Sequence, residues 1–478
     1  MAAVCDRAPP RKGPGNWETV HDGNCLATLG PGGLEILSIA LERRRFLQTA
    51  AAIAAAPYVR TSHAAGALSV AFWDHVVPGA NAVLGKLCNE WAAKEKVDLK
   101  FEFVGAFNLL LTGAAEARAK SGHDIVGLPS WAAAAHGGNL EPVDDVVKPL
   151  IAKYGAASSD VEYLGRQRGH WIAVPATPGS RLQPPCARID LMKQHAGIDL
   201  VKMYPPDGPA DKALADAWTW DAFLVAAQTC HKAGYPFGIG MGQTGDSVDS
   251  AGTIFAAYGA QLVDASGEIA VDSAATRQVL EYAKNLVQFL PPDVFGWDDD
   301  SNNQWLIGGK GALIMNPPSA WAAAKRDNPQ VAEQLWTFPP PKGPRGRYQS
   351  GVPMYWGIWK FSKSKSAAKS LLNHLSQRAA VEQLVAASGG YDIPGFSGLR
   401  DLPIWTEAGP PRGTLYHYLP RDGQVVSVAA APAPAAIGAQ IYFQAIMTKM
   451  IARVTQGGAS IDGTIAWAES TLEDLLQQ

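Results

Sequence analysis

At 478 residues the chain exceeds what one hydrophobic core ordinarily organises, which points to two lobes or domains. With 47% hydrophobic and only 18% charged residues, wholesale disorder is excluded. A formal net charge of -3 offers no basic footprint for nucleic acid or for an anionic membrane face.

Residues 1–40 contain Pro9, Pro10 and Pro14 with several glycines and fit no targeting pattern, so they read as a disordered leader or a mis-assigned start. Residues 41–64 read as an export signal. Glu42-Arg43-Arg44-Arg45-Phe46-Leu47-Gln48 resembles the twin-arginine motif: Arg43 and Arg44, one free position, then Phe46 and Leu47. An Ala-rich apolar run from Thr49 to Val59 follows, and Ser62-His63-Ala64 puts small residues where a signal peptidase reads them. That run is about half of the ~20 residues needed to span a bilayer, so it is not read as a membrane helix. The mature chain is expected to begin near Ala65 and to be soluble in the periplasm. Three cysteines, Cys88, Cys186 and Cys230, fall beyond the signal; none has zinc or redox spacing, and Cys186 with Cys230 is one available pair.

Strands and helices then alternate. Leu68–Trp73 reads as a buried strand, and Val83, Leu84, Leu87 and Trp91 recur at helical spacing. Val97–Val104 alternates like a strand, a helix is expected around 109–120, and Asp124–Leu128 reads as a third strand. This β-α-β-α-β order predicts a mostly parallel sheet, with ligand at the carboxyl ends of its strands. A second α/β region is expected from about 176 to 316. Within it Thr219 caps one helix and Asp272-Ser273 opens another that stops before Pro291. A strand is expected over 352–360, then one long helix from Ser366 to Ala387, closed by Gly389-Gly390. The tail from Gln440 is helical in pattern.

Read in order, these segments resemble the family 1 extracellular solute-binding proteins of ABC importers, of the maltose- and oligosaccharide-binding type. The resemblance is carried by Phe72-Trp73, by Gly122-His-Asp124 with Trp131 and Gly138-Asn-Leu140-Glu-Pro, and by Gly169-His-Trp-Ile-Ala-Val174-Pro175. It continues in Trp218-Thr219-Trp220-Asp221, Tyr258-Gly259-Ala260, Gly309–Asn316 with Trp321, and Gly389-Gly390-Tyr391. It implies a two-lobed α/β periplasmic binding protein fold of type II, with hinge strands joining the lobes and a ligand cleft between them. Lobe one would be 68–175 plus 338–391, and lobe two 176–337 plus 392–478. It further implies a non-enzymatic receptor that captures a sugar or sugar-derived solute and delivers it to the membrane subunits of an ABC importer. Such a protein is expected to act as a monomer, with no cofactor. Two departures, Cys186-Ala187-Arg188 where the family often has Tyr-Asn-Lys, and Ser319 where maltose binders often have tryptophan, leave the sugar's identity open.

Sugars are held by aromatic faces against their C–H surfaces and by planar polar groups against their hydroxyls. Trp73, Asp74 and His75 end the first strand and should face the cleft. Trp131 follows the third strand and matches a family ligand position, as does Trp321. Tyr355 and Trp356 alternate on a strand, so one should face the cleft or hinge and the other the core. Tyr391 sits in a Gly-Gly loop near the expected third crossing. Arg181 follows the first hinge and could fork onto hydroxyls.

Gly240-Met-Gly242-Gln-Thr-Gly245 has the spacing of a dinucleotide fingerprint. It lies deep in the chain, and Asp246 stands where phosphate would sit, so no nucleotide is expected there. Asp298-Asp299-Asp300 lacks a spaced oxygen-ligand loop, so no metal is expected. No nucleophile-elbow, zincin or P-loop motif is present. The competing readings are a periplasmic carbohydrate-active enzyme and a ferric-ion binder. The latter would rest on Tyr416-His417-Tyr418, outside the matched segments.

Overall fold

The computed structural model describes residues 66–205, 208–316, 319–407, 419 and 423–477. The leader, the export motif with Arg43, Arg44, Phe46 and Leu47, and Tyr416-His417-Tyr418 lie outside the described residues.

β1 (Ala67–Trp73) is apolar almost throughout, and every residue from Leu68 onward is buried. Such a strand fits only the middle of a sheet covered on both faces. It pairs in parallel with β2 (Asp98–Val104) and with β3 (Ile125–Pro129). Helices α1 (Ala80–Glu95) and α2 (Ala106–Ala119) make the two connections. β2 alternates and leaves Asp98, Lys100 and Glu102 exposed, charges that suit the free edge of a sheet. After β3 comes the short helix α3 (Ala132–His136), with Trp131 at its N-cap.

β4 (Val174–Gln183) carries the chain out of this sheet. Two residues later β5 (Pro185–Arg188) pairs antiparallel with β6 (Leu313–Met315) and β7 (Leu335–Thr337) in a separate three-stranded sheet. β8 (Gly346–Ile358) then returns, antiparallel to both β3 and β4, with an irregularity between Val352 and Met354. Thus the parallel order read from the sequence holds for β1, β2 and β3, but the strand expected over 352–360 enters antiparallel and begins earlier. The smaller sheet is wholly antiparallel, because its three short strands come from distant parts of the chain and none follows another through a crossover helix. β9 (Gln424–Ser427), within the C-terminal return expected to accompany the second lobe, is hydrogen-bonded to β8 in the larger sheet.

Helix starts follow their caps. Thr219 accepts the Ala222 N–H at the head of α4 (Trp220–Lys232). Farther along come α5 (Gly245–Tyr258) and α6 (Ala274–Val287), where Ser273 accepts the Thr276 N–H. α7 (Ser319–Asp327) precedes β7. The single helix expected from Ser366 to Ala387 is two, α8 (Lys365–Leu375) and α9 (Arg378–Ala387). The break has a local cause: the Ser376 hydroxyl donates back to Leu372 O, and the Tyr154 hydroxyl accepts the Arg378 N–H, capping α9 from outside. The tail forms α10 (Ala435–Phe443), α11 (Ile446–Thr455) and α12 (Ile461–Leu476). α10 packs on α3, and α11 packs on α5 and α6. Cys88, Cys186 and Cys230 are free and buried, so the pair Cys186–Cys230 is not bridged. Burial pushes the Cys186 thiol up to about 12.

The motif Gly122-His-Asp124 proves structural. Asp124 Oδ2 accepts both the backbone N–H and the hydroxyl of Ser69, each at 2.9 Å, and its Oδ1 accepts the Ser362 hydroxyl at 2.7 Å. The carboxylate ties β1 to the turn after β8.

Candidate functional site

The carboxyl ends of β1 and β3 meet β4, α5, α7 and α10 in one buried region, and most of the expected residues come together there. Trp73 is 7% exposed, and its ring lies 4.7 Å from that of His75 and stacks on Tyr391 at 6.4 Å. Gly179 makes this approach feasible: its φ is +88°, and a Cβ there would lie 2.8 Å from the Trp73 ring. His75 Nδ1 accepts the Val77 N–H at 2.9 Å, so Nε2 carries the proton and donates to Asp392 Oδ1 at 3.0 Å. Asp392 also accepts the Gly179 N–H at 2.8 Å. Asp74 is turned away, exposed and accepting from the Asn81 amide.

Trp131 is fully buried. Tyr163 meets it edge-on at 5.8 Å, and Tyr442 of α10 stacks on it at 6.0 Å. Gly438, one turn earlier in α10, is so close that a Cβ would lie 2.4 Å from the indole. The Tyr442 hydroxyl donates to Asp249 Oδ2 at 3.1 Å, which carries the contact on to α5.

Arg181, on β4, faces Asp246 at 4.0 Å and donates to Gly179 O at 3.3 Å. Asp246 and Asp249 project from successive turns of α5. Asp246 Oδ2 accepts from the Asn302 amide at 3.2 Å, and Gln183 Nε2 donates to Asp246 O at 3.0 Å. Burial pushes the Asp246 carboxyl up to about 8, the charge of Asp299 adds to the shift, and Arg181 opposes it. Burial likewise raises Asp249 to about 7, against Arg181 and the Tyr442 hydroxyl. Both aspartates therefore sit near the boundary between neutral and ionised at physiological pH.

Beside this cluster, Trp321 of α7, with Lys325, Arg326, Val77, Ser388 and Tyr391, lines a cavity of about 400 Å³. Lys325 Nζ sits 4.5 Å from the centre of the Trp321 ring. Tyr355 and Trp356 do not join the cluster: the Tyr355 hydroxyl donates to Val161 O at 2.8 Å, and Trp356 meets Phe72 edge-on at 6.1 Å. Both rings are buried within the larger sheet's packing, one on each face.

Sequence reasoning did not single out Asp246, Asp249, Asp392 or Tyr442 as site residues. One signal was available. From Asp246 to Phe255 α5 is Asp, Ser, Val, Asp, Ser, Ala, Gly, Thr, Ile and Phe, mostly small residues that let a helix be packed on every side. A carboxylate on such a helix must be buried. The glycine motif before it does open a helix, but two of its N-terminal N–H groups are taken by side chains: Thr244 accepts from Ser247, and Asp299 Oδ1 accepts from Asp246 at 3.0 Å. No phosphate is called for.

Among the described residues no group of three His, Cys, Asp or Glu side chains is placed to hold a metal ion. Comparison with known proteins agrees on the fold. A maltose-bound structure, T. maritima MalE3, is 18% identical with a TM-score of 0.66, covering 86% of this chain and 100% of that one. The GacH receptor of Streptomyces glaucescens GLA.O, solved unliganded and with acarbose, is 19% identical with a TM-score of 0.67, covering 86% and 99%. A Deinococcus radiodurans protein described as a "Probable ABC transporter-binding protein" is 25% identical over 195 residues, 37% of this chain. The match spans 43% of that relative's length. The two-lobed periplasmic binding protein fold is therefore shared with the solved structures. The model of the bacterial extracellular solute-binding proteins matches residues 79–382, well over half of the sequence, and the chain belongs to that family.

Proposed function

We propose that the chain is an extracytoplasmic receptor that captures a sugar or sugar-derived solute, without turning it over, and delivers it to the membrane subunits of an ABC importer. One observation carries this reading. Aromatic faces (Trp73, Tyr391, Trp131, Tyr442) and buried polar groups (Arg181, Asp246, Asp249) converge where β4 and β8 connect the two sheets. That is the chemistry a sugar ring and its hydroxyls require. The described residues contain no helix long and apolar enough to cross a membrane, consistent with a partner that remains outside the bilayer. Capture would proceed by hinge bending about the crossing strands, with the protein monomeric in the periplasm after twin-arginine export. The test is a sugar library scored by melting temperature and by product analysis. Stabilisation without product supports the receptor; turnover of any glycan overturns it. Export should stop when Arg43→Lys is combined with Arg44→Lys, and unchanged secretion would remove the twin-arginine assignment.

A further inference from the structure

Resting on that receptor reading, we propose that the preferred solute is a sugar acid, a sugar ring bearing one carboxylate, and that Lys325 receives the charge. The cavity beside Trp321 has two unlike walls. One is α7, whose Trp321, Ala322, Lys325 and Arg326 recur at the spacing of a single helix face. The other is the end of α9 and the turn after it, from Ala386 to Gly389, where side chains are small. A Cβ on Gly389 would meet nothing within 4 Å. At about 400 Å³ the space lies at the lower end of the ~300–1,000 Å³ range of small-molecule sites, which suits a short solute better than a long chain.

The charge on these walls is of one sign. Lys325 and Arg326 line the cavity, and no described Asp or Glu does. The two cations are not equivalent. Arg326 is neutralised by its neighbour: its Nε and Nη2 donate to the two oxygens of Asp327 at 2.6 and 2.7 Å. Lys325 has no carboxylate partner among the described residues and rests over the Trp321 ring, 4.5 Å from its centre. A ring face steadies an ammonium group without cancelling its charge. Asp392, next to Tyr391, is held by His75 and by the Gly179 N–H. The negative end of α9 is also satisfied within the chain. The carbonyls of Leu384, Val385 and Ala386 accept the N–H groups of Ser388, Gly390 and Gly389 respectively. One uncompensated positive charge therefore faces the space. A carboxylate matches it with a single negative charge, whereas a phosphate monoester, at about -1.5 to -2, exceeds it. Burial holds the Tyr391 phenol protonated, so that ring adds a donor and not a second anion. Trp321 and Tyr391 are the aromatic members of the lining and would meet the C–H face of the ring.

The experiment is calorimetric titration of the full chain with matched pairs: glucuronate against glucose and galacturonate against galactose, with glucose 6-phosphate as a phosphate arm. The acid should bind at least about tenfold more tightly than its neutral partner. Lys325 is exposed, so Lys325→Gln should fold, which its melting temperature checks. That variant should shrink the acid preference to about twofold or less, and Lys325→Arg, which keeps the charge, should retain it. Glucose 6-phosphate binding more tightly than glucuronate overturns the carboxylate. Neutral sugars binding as well as the acids would overturn this inference and leave the receptor reading standing. If no sugar, acidic or neutral, binds in these pairs or in the library, both fail. An acid preference that survives Lys325→Gln, or that is lost equally in Lys325→Arg, removes the charge of Lys325 from recognition and overturns the assignment.

Discussion

Asp124, just before β3, and Asp249, one turn into α5, are both buried, at 8% and 1% exposure, yet their oxygens are occupied differently. Asp124 has both oxygens filled by donors from Ser69 and Ser362, all within the larger sheet's own packing. Asp249 has one well-formed hydrogen bond, from Tyr442 at 3.1 Å, with the Ser350 hydroxyl as a weaker partner beside it. The first carboxylate is held by three short hydrogen bonds; the second is held by one and a weaker contact. A buried acid with so few donors titrates far above its ordinary value, and strongly shifted groups are candidates for function.

The comparison breaks most visibly on removal of the side chains. Asp124→Ala strands three donors and should cost about 3–4 kcal/mol of stability, read as a drop in urea midpoint. A loss below about 1 kcal/mol would put Asp124 in the same class as Asp249. Next in size, Trp131→Ala should cost about 3 kcal/mol, because Gly438 and Tyr442 are packed directly on the indole and cannot fill the gap. The same variant should weaken an identified sugar ligand about tenfold or more, and unchanged affinity in the folded fraction would assign the ring to packing alone.

A third test uses pH. Asp246 and Asp249 have folded values of about 8 and about 7 against an ordinary 3.8. Between those limits the folded chain binds more protons than the unfolded one. Their contribution is therefore greatest in acid and is lost as pH rises through the folded values. The melting temperature should fall from about pH 5 to about pH 8, and Asp249→Asn should flatten that fall. A wild-type curve that rises over this window would contradict the burial of these acids as the controlling effect. The smallest effect is expected at Asp74, exposed and bonded to Asn81: Asp74→Ala should move stability by about 0.5 kcal/mol or less.

What the sequence made legible was the order of elements and the local stops. The run Leu68–Trp73, apolar apart from Ser69, marked a central strand because so short an apolar run suits a strand covered on both faces. Thr219 and Ser273 marked helix starts because a hydroxyl there satisfies an otherwise lost N–H. The strand-end placement of Trp73, His75 and Trp131 was legible in the sequence. The placement of Asp246, Asp249 and Tyr442 was not, since it depends on α5 and α10 being packed from several sides by segments remote in sequence. Tyr355 and Trp356 illustrate the reverse. Alternation placed them on opposite faces of β8, but the sheet is covered on both, so neither face is a cleft.

The pairing of β4 with β8 has a mechanical meaning. Two antiparallel strands bonded edge to edge form a ribbon that resists being stretched or sheared, since either motion would break a row of hydrogen bonds at once. β8 is bonded to β4 at Gly351 and Val352 and to both β3 and β4 from Met354 to Trp356, so the sheet is narrowest, and twist is least restrained, at the first two. Its register shifts between Val352 and Met354, opposite Arg181 and Ala176, and a local irregularity of that kind concentrates compliance. In the hinge bending proposed above, the rotation between the two sheets would centre here. Arg181, paired with Val352 at this irregularity, would keep its partners through such a rotation while groups farther off, such as Trp321, would travel farther.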